Sequence, residues 1–339
     1  MTGPHQPLGS SPAVGVVSLL REAWRLEPFT PPFTFSAFFS PEDTLLCVCA
    51  AEAAMRFLST PSAAPGTVKE SLRVAELTSG SGLVGFYLLR QHDGATLLGL
   101  DIDEEAARVG EHNARILRLA GRARFIQANL WSPETTQLLE SEKPHLLVCN
   151  PPYIPEPPDT TLQMEAGAGP SGTAHLLRAL ELAGAVKPDA LALSWCSLSD
   201  PAAIVRAAES YGYRLDRLFV TAIADGEYSG SVHSYLRDLP SAYLNEQSDT
   251  VRAVAPDQSA SFGYLLLAGA FSAQHSNTVV GSDAPSAVET ICRDFAGIGV
   301  RTLPSPVAPF PVHCFILTRW DELDLRIMLH GPIARAGTA

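Results

Sequence analysis

The sequence predicts an α/β fold built on a doubly wound, mostly parallel sheet, and two observations support this prediction. Short apolar runs alternate with segments of helical periodicity from residue 72 to residue 211, a rhythm that is typical of βαβ units. The chain has 339 residues, of which 46% are hydrophobic and 18% charged, so it can bury a core without metal or disulfide support. Right-handed crossovers then place helices on both faces of the sheet.

Five apolar runs predict the parallel strands, and four segments between them predict helices. The strands are expected at 72–77, 95–100, 123–127, 145–149 and 190–195. The helices are expected at 82–91, 104–119, 173–186 and 201–211. Asp200 as N-cap and Pro201 at the first helical position begin the last helix. Two later runs, 215–222 and 262–270, predict an antiparallel pair at a sheet edge.

Composition shifts divide the chain into three predicted regions. These are an N-terminal helical and aromatic cap with its linker (1–62), a central domain (63–272) and a C-terminal extension (273–339). The cap has helical periodicity at 13–25 and at 41–58. Within the central domain, the polar stretch 225–260 is interpreted as a long insertion or lid. The extension predicts a helix at 287–295 and a strand at 313–317.

The charge and cysteine content exclude several classes of function. The 36 Asp and Glu residues outnumber the 24 Lys and Arg residues, and the net charge of -12 disfavours a nucleic-acid partner. The six cysteines form no CxxC pair, so we expect a reducing compartment and no metal site. Cys47 and Cys49 are expected to be buried small hydrophobes. Residues 1–12 lack signal-peptide features and no stretch fits a bilayer, so the expected location is cytoplasmic, with no membrane partner.

A glycine-containing turn follows the first predicted strand. It reads Glu76-Leu77-Thr78-Ser79-Gly80-Ser81-Gly82. Gly80 and Gly82 let the backbone approach a ligand closely, and Asp101 at the end of the next strand can accept hydrogen bonds from ribose hydroxyls. Glu76 favours a ligand with ammonium and sulfonium groups over a dinucleotide phosphate. The sequence therefore predicts S-adenosylmethionine as the cofactor. The residues expected to bind it here are Glu76, Thr78, Gly80, Gly82, Asp101 and Ile102.

Two further segments bear on the cofactor. Asp101 and Asp103 have a second interpretation as the N-cap of the following helix, which is compatible with ligand contact. After the third strand, Asn129 is expected to pair with the adenine edge while Leu130 and Trp131 cover its face. The same residues also fit an ordinary surface turn.

The tetrapeptide Asn150-Pro151-Pro152-Tyr153 follows the fourth strand directly, where ligands of open α/β sheets bind. The side-chain oxygen of Asn150 and the carbonyl of Pro151 can each accept one hydrogen of an NH2 group, which turns the nitrogen lone pair toward a methyl donor. Pro152, like Pro151, has no N–H, so the loop presents acceptors. Tyr153 can stack on the planar group. These four residues are the predicted catalytic residues, and Asn150 is also expected to contact the cofactor.

These motifs resemble the HemK/PrmC-like glutamine N5-methyltransferases, which belong to the wider group of class I methyltransferases with an NPPY motif. The resemblance covers about residues 74–271 and implies a seven-stranded doubly wound Rossmann-like methyltransferase sheet, with a small N-terminal cap and a C-terminal extension. It implies that S-adenosylmethionine is bound by Glu76, Gly80, Gly82, Asp101 and Asn129. It further implies that Asn150, Pro151 and Tyr153 hold the glutamine carboxamide of a translation release factor.

The resemblance extends to two flanking segments and has three departures. Residues 40–44 resemble the proline-and-acid segment before the catalytic core, and Glu165 with the glycines after it resembles the substrate-side stretch. The family's Asp-Leu-Gly-Thr-Gly-Ser-Gly motif loses one glycine here, Asn129 stands where an acid is usual, and Trp195 stands near a usual glutamate. These departures leave the chemistry intact and allow another protein or a small metabolite as the substrate.

Three alternatives stay open from the sequence. The first is a nucleic-acid amino methyltransferase acting on adenine N6 or guanine N2, which the acidic composition disfavours. The second is a small-molecule methyltransferase. The third is a non-catalytic S-adenosylmethionine-binding protein, which the intact Asn-Pro-Pro-Tyr disfavours because a pure binder needs no acceptors aimed at a nitrogen. The sequence makes no prediction of the oligomeric state.

Overall fold

The computed structural model describes most of the central region and parts of both termini. The described residues are 33–34, 41–59, 71–160, 162, 164, 166–224, 227–244, 263–274, 283–298 and 313–317. They form one eight-stranded sheet with helices on both faces. The predicted helix at 13–25 lies outside the described residues.

The strands lie close to the predicted runs. They are β1 (Arg73–Leu77), β2 (Thr96–Asp101), β3 (Ala123–Gln127), β4 (Leu146–Cys149), β5 (Ala190–Cys196), β6 (Tyr213–Ala224), β7 (Gly263–Ala273) and β8 (His313–Leu317). Their order in the sheet is β3-β2-β1-β4-β5-β7-β6-β8. The first five are parallel, and β7 pairs antiparallel with both β5 and β6. The predicted doubly wound fold, with its antiparallel pair, is confirmed.

The sheet differs from the prediction at its edge. Strand β8 comes from the C-terminal extension and pairs parallel with β6, so β6 and β7 are both interior strands. The expectation that their antiparallel pair forms the sheet edge was wrong. The sheet therefore has one strand more than the predicted seven. Without β8 the edge of β6 would be unpaired, and the segment that pairs with it lies nearly 90 residues further along the chain.

The helices cover the two faces of the sheet. They are α1 (Pro41–Ser59), α2 (Leu83–Gln91), α3 (Glu104–Ile116), α4 (Pro133–Glu142), α5 (Ala174–Val186), α6 (Pro201–Ser210), α7 (Glu227–Ser231), α8 (His233–Asp238) and α9 (Ala284–Ile298). Helices α1 to α3 contribute to the core on one face. Helices α4, α5, α6 and α9 contribute to the core on the other. Among the described residues, no helix is both long and apolar enough to span a bilayer.

Helix α1 is deeply buried. It packs across β5 and β7 and against α2, and its residues from Asp43 to Met55 are all buried. Cys47 and Cys49 are fully buried free thiols whose pKa values are raised by burial, which agrees with their interpretation as small hydrophobes. The predicted domain boundaries at 62 and 272 remain predictions.

Two helical regions were not expected from the sequence. Helix α4 begins with Ser132 as N-cap and Pro133 at its first turn, but only two of its residues are buried, so its apolar periodicity is weak. Helices α7 and α8 lie within the predicted insertion or lid. Leu236 is fully buried, and the Tyr243 amide donates to the Ser197 carbonyl over 2.8 Å. The interpretation of 225–260 as a long insertion or lid stays a prediction. Residues 245–262 lie outside the described residues.

Candidate active site

The sheet brings three predicted segments together. Strand β1 lies between β2 and β4, and Leu77 is level with Leu100 on one side and with Cys149 on the other. The turn after β1, the end of β2 and the loop after β4 therefore meet at the carboxyl edge of the sheet. This is the position at which open α/β sheets bind their ligands.

The turn formed by residues 78–82, called the glycine turn below, is held by hydrogen bonds to β2. The Ser79 amide donates to the Leu100 carbonyl over 3.0 Å, and the Gly80 amide donates to Oδ2 of Asp101 over 2.8 Å. The other carboxylate oxygen of Asp101 accepts from the Asp103 amide at 3.0 Å. Asp103 itself caps α3 by accepting from the Glu105 amide at 2.9 Å. Asp101 thus orients the turn, and Asp103 has the N-cap role given as its second interpretation.

Glu76 lies beneath the same turn. Its side chain is buried, and Oε2 accepts a hydrogen bond of 3.0 Å from the Gly85 amide at the start of α2. Burial raises the pKa of this carboxyl to about 8; the Gly85 bond opposes the shift and the nearby Asp101 carboxylate adds to it. Burial also raises the pKa of Asp101. Burial therefore disfavours the charged form of both acids, and the Asp101 carboxylate adds to this effect at Glu76.

The backbone of the glycine turn has left-handed φ angles at alternate residues. Gly80 has φ +51° and Gly82 has φ +78°, and a Cβ on Gly82 would lie 2.5 Å from the Phe125 ring. Thr78 has φ +51° as well, a conformation that is strongly disfavoured for a β-branched residue. The family's missing glycine corresponds to this position.

The residues after β3 are arranged as a surface turn. The side-chain oxygen of Asn129 accepts from the Trp131 amide at 3.0 Å, which leaves its NH2 group outside that bond. The side chain of Leu130 lies in the core and is only 5% exposed, so it does not form the exposed cover expected for adenine. Trp131 and Ile102, about half exposed, supply the apolar surface at this edge instead.

The loop formed by residues 150–156, called the acceptor loop below, contains an unsatisfied polar atom. Oδ1 of Asn150 is inaccessible to solvent and has no hydrogen-bond partner in the described part of the chain. A buried acceptor without a donor costs about 1–3 kcal/mol. Asn150 Oδ1 is one of several buried side-chain atoms without a hydrogen-bond partner among the described residues, and its place after β4, at the carboxyl edge of the sheet, is where a ligand could supply the missing donor.

The acceptor loop is rigidly held by the chain that follows it. The Ile154 amide donates to the Ala166 carbonyl, and the Ala168 amide returns a bond to Ile154, at 3.0 and 3.1 Å. The carboxylate of Glu156 accepts from the Leu162 amide at 2.9 Å. A Cβ on Gly172 would lie 2.5 Å from the Tyr153 carbonyl. Glu156 was not among the predicted site residues, although it directly follows the motif.

Tyr153 is anchored rather than exposed. Its side chain is only 7% exposed, and its hydroxyl donates to Oδ1 of Asp43 in α1. Burial and the Asp43 carboxylate hold the pKa of the phenol well above its usual value. Stacking on a substrate remains a prediction, and the structure adds a contact that ties the acceptor loop to the proline-and-acid segment around residue 43.

Sequence reasoning missed two other polar groups near the site. Nδ1 of His175 and Oγ of Ser79 are buried and unpaired among the described residues. The His175 ring packs edge-on against Trp131, with centroids 5.0 Å apart, and burial lowers its pKa against an opposing effect of Glu156. A single histidine in a helix carries no sequence signal of such a contact. Glu165 lies outside the described residues.

Comparisons with known proteins agree with the motifs. No protein-family model matches the chain. It is 38% identical over 93 residues to a release factor glutamine methyltransferase of Rhodospirillum rubrum, a match that covers 27% of each chain. It is 32% identical over 81 residues to a ribosomal protein uL3 glutamine methyltransferase of Francisella tularensis, covering 24% of each. Over this span the chain is similar to glutamine methyltransferases of a release factor and of ribosomal protein uL3.

The similarity to these relatives is partial. The chain matches about a quarter of their length, and the resemblance identified from the motifs is confirmed over that part. Among solved structures, a ribosomal protein L11 methylase from Lactobacillus delbrueckii subsp. bulgaricus has a TM-score of 0.39 and 16% identity, covering 71% of this chain and 82% of that one. A putative RNA methyltransferase from Pyrococcus horikoshii has a TM-score of 0.42 and 13% identity, covering 75% and 98%.

Proposed function

We propose that this protein is an S-adenosylmethionine-dependent methyltransferase that methylates the side-chain amide nitrogen of a protein glutamine. The observation that carries the proposal is the buried, unpaired Oδ1 of Asn150, next to the glycine turn at the carboxyl edge of the sheet. An acceptor without a donor is complementary to an NH2 group of a substrate. Its cost to stability is offset when the substrate binds.

The residues of the glycine turn fit S-adenosylmethionine. Asp101 uses one lone pair of each oxygen for a backbone amide, so both oxygens can still accept from ribose hydroxyls. Glu76 and Asp101 place two carboxyl groups where a ligand with ammonium and sulfonium groups would bind, and a bound cation would favour the charged form that burial disfavours. The exposed surfaces of Ile102 and Trp131 suit the adenine ring. When bound, this cofactor supplies an electrophilic methyl carbon.

The acceptor loop then acts by orienting the substrate. An amide nitrogen is a poor nucleophile because its lone pair is delocalised. Asn150 Oδ1 and the Pro151 carbonyl accept its two hydrogens and turn the lone pair toward the methyl carbon. Pro152 and Tyr153 keep the loop rigid, the second through its bond to Asp43. Alignment of this kind contributes up to about 7–11 kcal/mol. No strong base is required, because the nitrogen becomes acidic once it is methylated and then releases its proton.

The substrate class follows from the relatives and the charge. Their names specify a release factor and ribosomal protein uL3 as the proteins that carry the glutamine, and a release factor is the partner we propose to test first. The net charge of -12 disfavours a nucleic acid with an adenine or guanine amino group. A small metabolite and a non-catalytic role are the remaining alternatives.

The test is incorporation of a labelled methyl group. The protein is incubated with labelled S-adenosylmethionine and either a purified release factor or a fractionated cell extract, and the products are analysed by mass spectrometry. A methylated glutamine that is absent with Asn150→Ala supports the proposal. Label on a nucleobase or a metabolite would transfer the assignment to those alternatives, and cofactor binding without label in any fraction would contradict catalysis.

A further inference from the structure

Thr78 is an exception among the residues with left-handed backbone. The other non-glycine residues with positive φ among the described residues are Arg118, Lys143 and Lys187. These three have unbranched side chains and lie at or just after the C-terminal ends of helices, where left-handed residues are common. Thr78 is β-branched and lies at the carboxyl edge of the sheet. Its backbone strain, of order 1–3 kcal/mol for such residues, needs a compensating reason.

The position of the Thr78 side chain suggests that reason. Its hydroxyl donates to the Leu77 carbonyl over 2.6 Å, and Oγ1 lies 3.9 Å from the Cys149 sulfur. Cys149 immediately precedes Asn150. The half-buried Thr78 side chain therefore lies at the seam between the glycine turn and the acceptor loop. A glycine would leave that seam without a side chain.

The hydroxyl can offer negative potential at this seam. Its single hydrogen is used for Leu77, and the Cys149 thiol can occupy at most one of the two lone pairs of the oxygen. At least one lone pair therefore remains. Since burial raises the pKa of Glu76 to about 8, that carboxyl carries little charge at neutral pH, and a neutral oxygen nearby gains importance.

We propose that Thr78 is a specificity-determining residue whose hydroxyl oxygen favours the positively charged methyl donor over its neutral demethylated product. The inference rests on the proposed function, under which the sulfonium of a bound donor would lie at this seam, between the glycine turn and the acceptor loop. S-adenosylhomocysteine has no positive charge at its sulfur, so it gains nothing from the oxygen. This difference in affinity favours release of S-adenosylhomocysteine, the demethylated product.

The test compares the affinities of S-adenosylmethionine and S-adenosylhomocysteine by calorimetry. Thr78→Val keeps the volume and the branching but removes the oxygen, and Thr78→Gly removes the oxygen while relaxing the backbone. Both variants are expected to bind S-adenosylmethionine about three- to tenfold more weakly relative to S-adenosylhomocysteine, the loss expected for one oxygen contact to a cation. Thr78→Gly should also melt at the same temperature as the wild type or higher.

Lys143→Gly is the matched control, because it relieves a left-handed backbone with φ +47° far from the site. It should leave the affinity ratio unchanged. An unchanged ratio in both Thr78 variants, with normal binding by the wild type, would overturn this inference alone. Wild-type protein that binds neither compound would overturn the proposed function and this inference with it.

Discussion

The glycine turn and the acceptor loop lie side by side at the same sheet edge, yet they treat their polar groups differently. Beside the glycine turn, the carboxyl groups of Glu76 and Asp101 accept hydrogen bonds of 2.8–3.0 Å from the amides of the turn and of the two helix starts next to it. In the acceptor loop, Asn150 Oδ1 is buried without a partner. Among the described residues, the first region uses both carboxyl groups for its own backbone and leaves the Ser79 hydroxyl unpaired, whereas the second leaves unpaired the amide oxygen that we propose binds the substrate.

The difference indicates how each region acts. Because backbone amides donate to Glu76 and Asp101, the glycine turn has its shape before a ligand binds, and that shape depends on these hydrogen bonds. The acceptor loop is rigid for other reasons, through Glu156 and the contact of Tyr153 with Asp43, so that one atom can stay unsatisfied. A substitution at Asn150 is therefore expected to impair function without lowering stability, whereas a substitution at Asp101 is expected to lower both cofactor binding and stability.

Replacing Asn150 by Ala tests this separation most strongly. Turnover should fall about 10²–10³-fold, the loss typical of one preorganised polar contact to the reacting group. Affinity for S-adenosylmethionine should stay within about threefold, and the melting temperature should be unchanged or higher because an orphaned acceptor is removed. Steady-state kinetics, calorimetry and thermal unfolding measure the three quantities. A large loss of cofactor affinity would show that the role of Asn150 is misassigned.

Replacing Asp101 by Asn should have the opposite profile. The substitution keeps the shape but directs an NH2 group toward the Gly80 or Asp103 amide, so the glycine turn loses one of its anchors. Affinity for S-adenosylmethionine should fall about 10–100-fold with a measurable loss of stability. Calorimetry beside a urea titration checks both. Full affinity in this variant would contradict the view that the turn is held in shape by Asp101.

The pH dependence of stability sharpens the comparison at Glu76. Because its pKa is raised from 4.5 to about 8, the folded state keeps a proton that the unfolded chain releases. Stability is therefore lost as pH rises from about 4.5 to about 8. Glu76→Gln retains an acceptor for Gly85 and should flatten this part of the profile, gaining on the wild type most at pH 8. Urea denaturation of both proteins at pH 5 and pH 8 measures the gain; an equal difference at both pH values would refute it.

Of the four substitutions, removal of the Tyr153 hydroxyl should have the smallest effect on turnover. Tyr153→Phe deprives the buried Asp43 of one donor and should cost about 1–3 kcal/mol of unfolding free energy. Tyr213→Phe is the matched control, since that buried hydroxyl donates to the Pro188 carbonyl at 2.9 Å, away from the acceptor loop. Both variants should lose stability, but only Tyr153→Phe should lower turnover. Equal turnover in the two would mean that the Asp43 contact does not position the loop.

Much of the fold was predictable because its signals are local. Strand β3 matches the predicted run, and the helices of the parallel region differ by at most a few residues from their periodic segments. Helix α4 was missed because little of it is buried, although Ser132 and Pro133 form a recognisable helix start. The helices within residues 227–244 were not predicted, because the polar composition of this stretch hides the few buried contacts, such as that of Leu236, that hold them.

In the candidate site, too, some features were predictable from the sequence and others were not. The sequence predicted that the segments containing Asp101 and Asn150 lie together, because the ends of parallel strands must meet at one edge. The burial of Leu130, the edge contact of His175 and the anchoring of Tyr153 were not predictable, since each depends on a partner distant in sequence.

By itself, the sequence determined the alternation of strands and helices, the glycine turn and the acceptor loop, because periodicity and backbone chemistry act over a few residues. Only the tertiary structure decided which polar atoms stay unpaired and which left-handed residue is strained, and it added β8 beyond β6. Hydrogen bonding and burial depend on groups brought together from distant parts of the chain. For that reason the unpaired oxygen of Asn150 and the left-handed backbone of Thr78 can be recognised only in the folded protein.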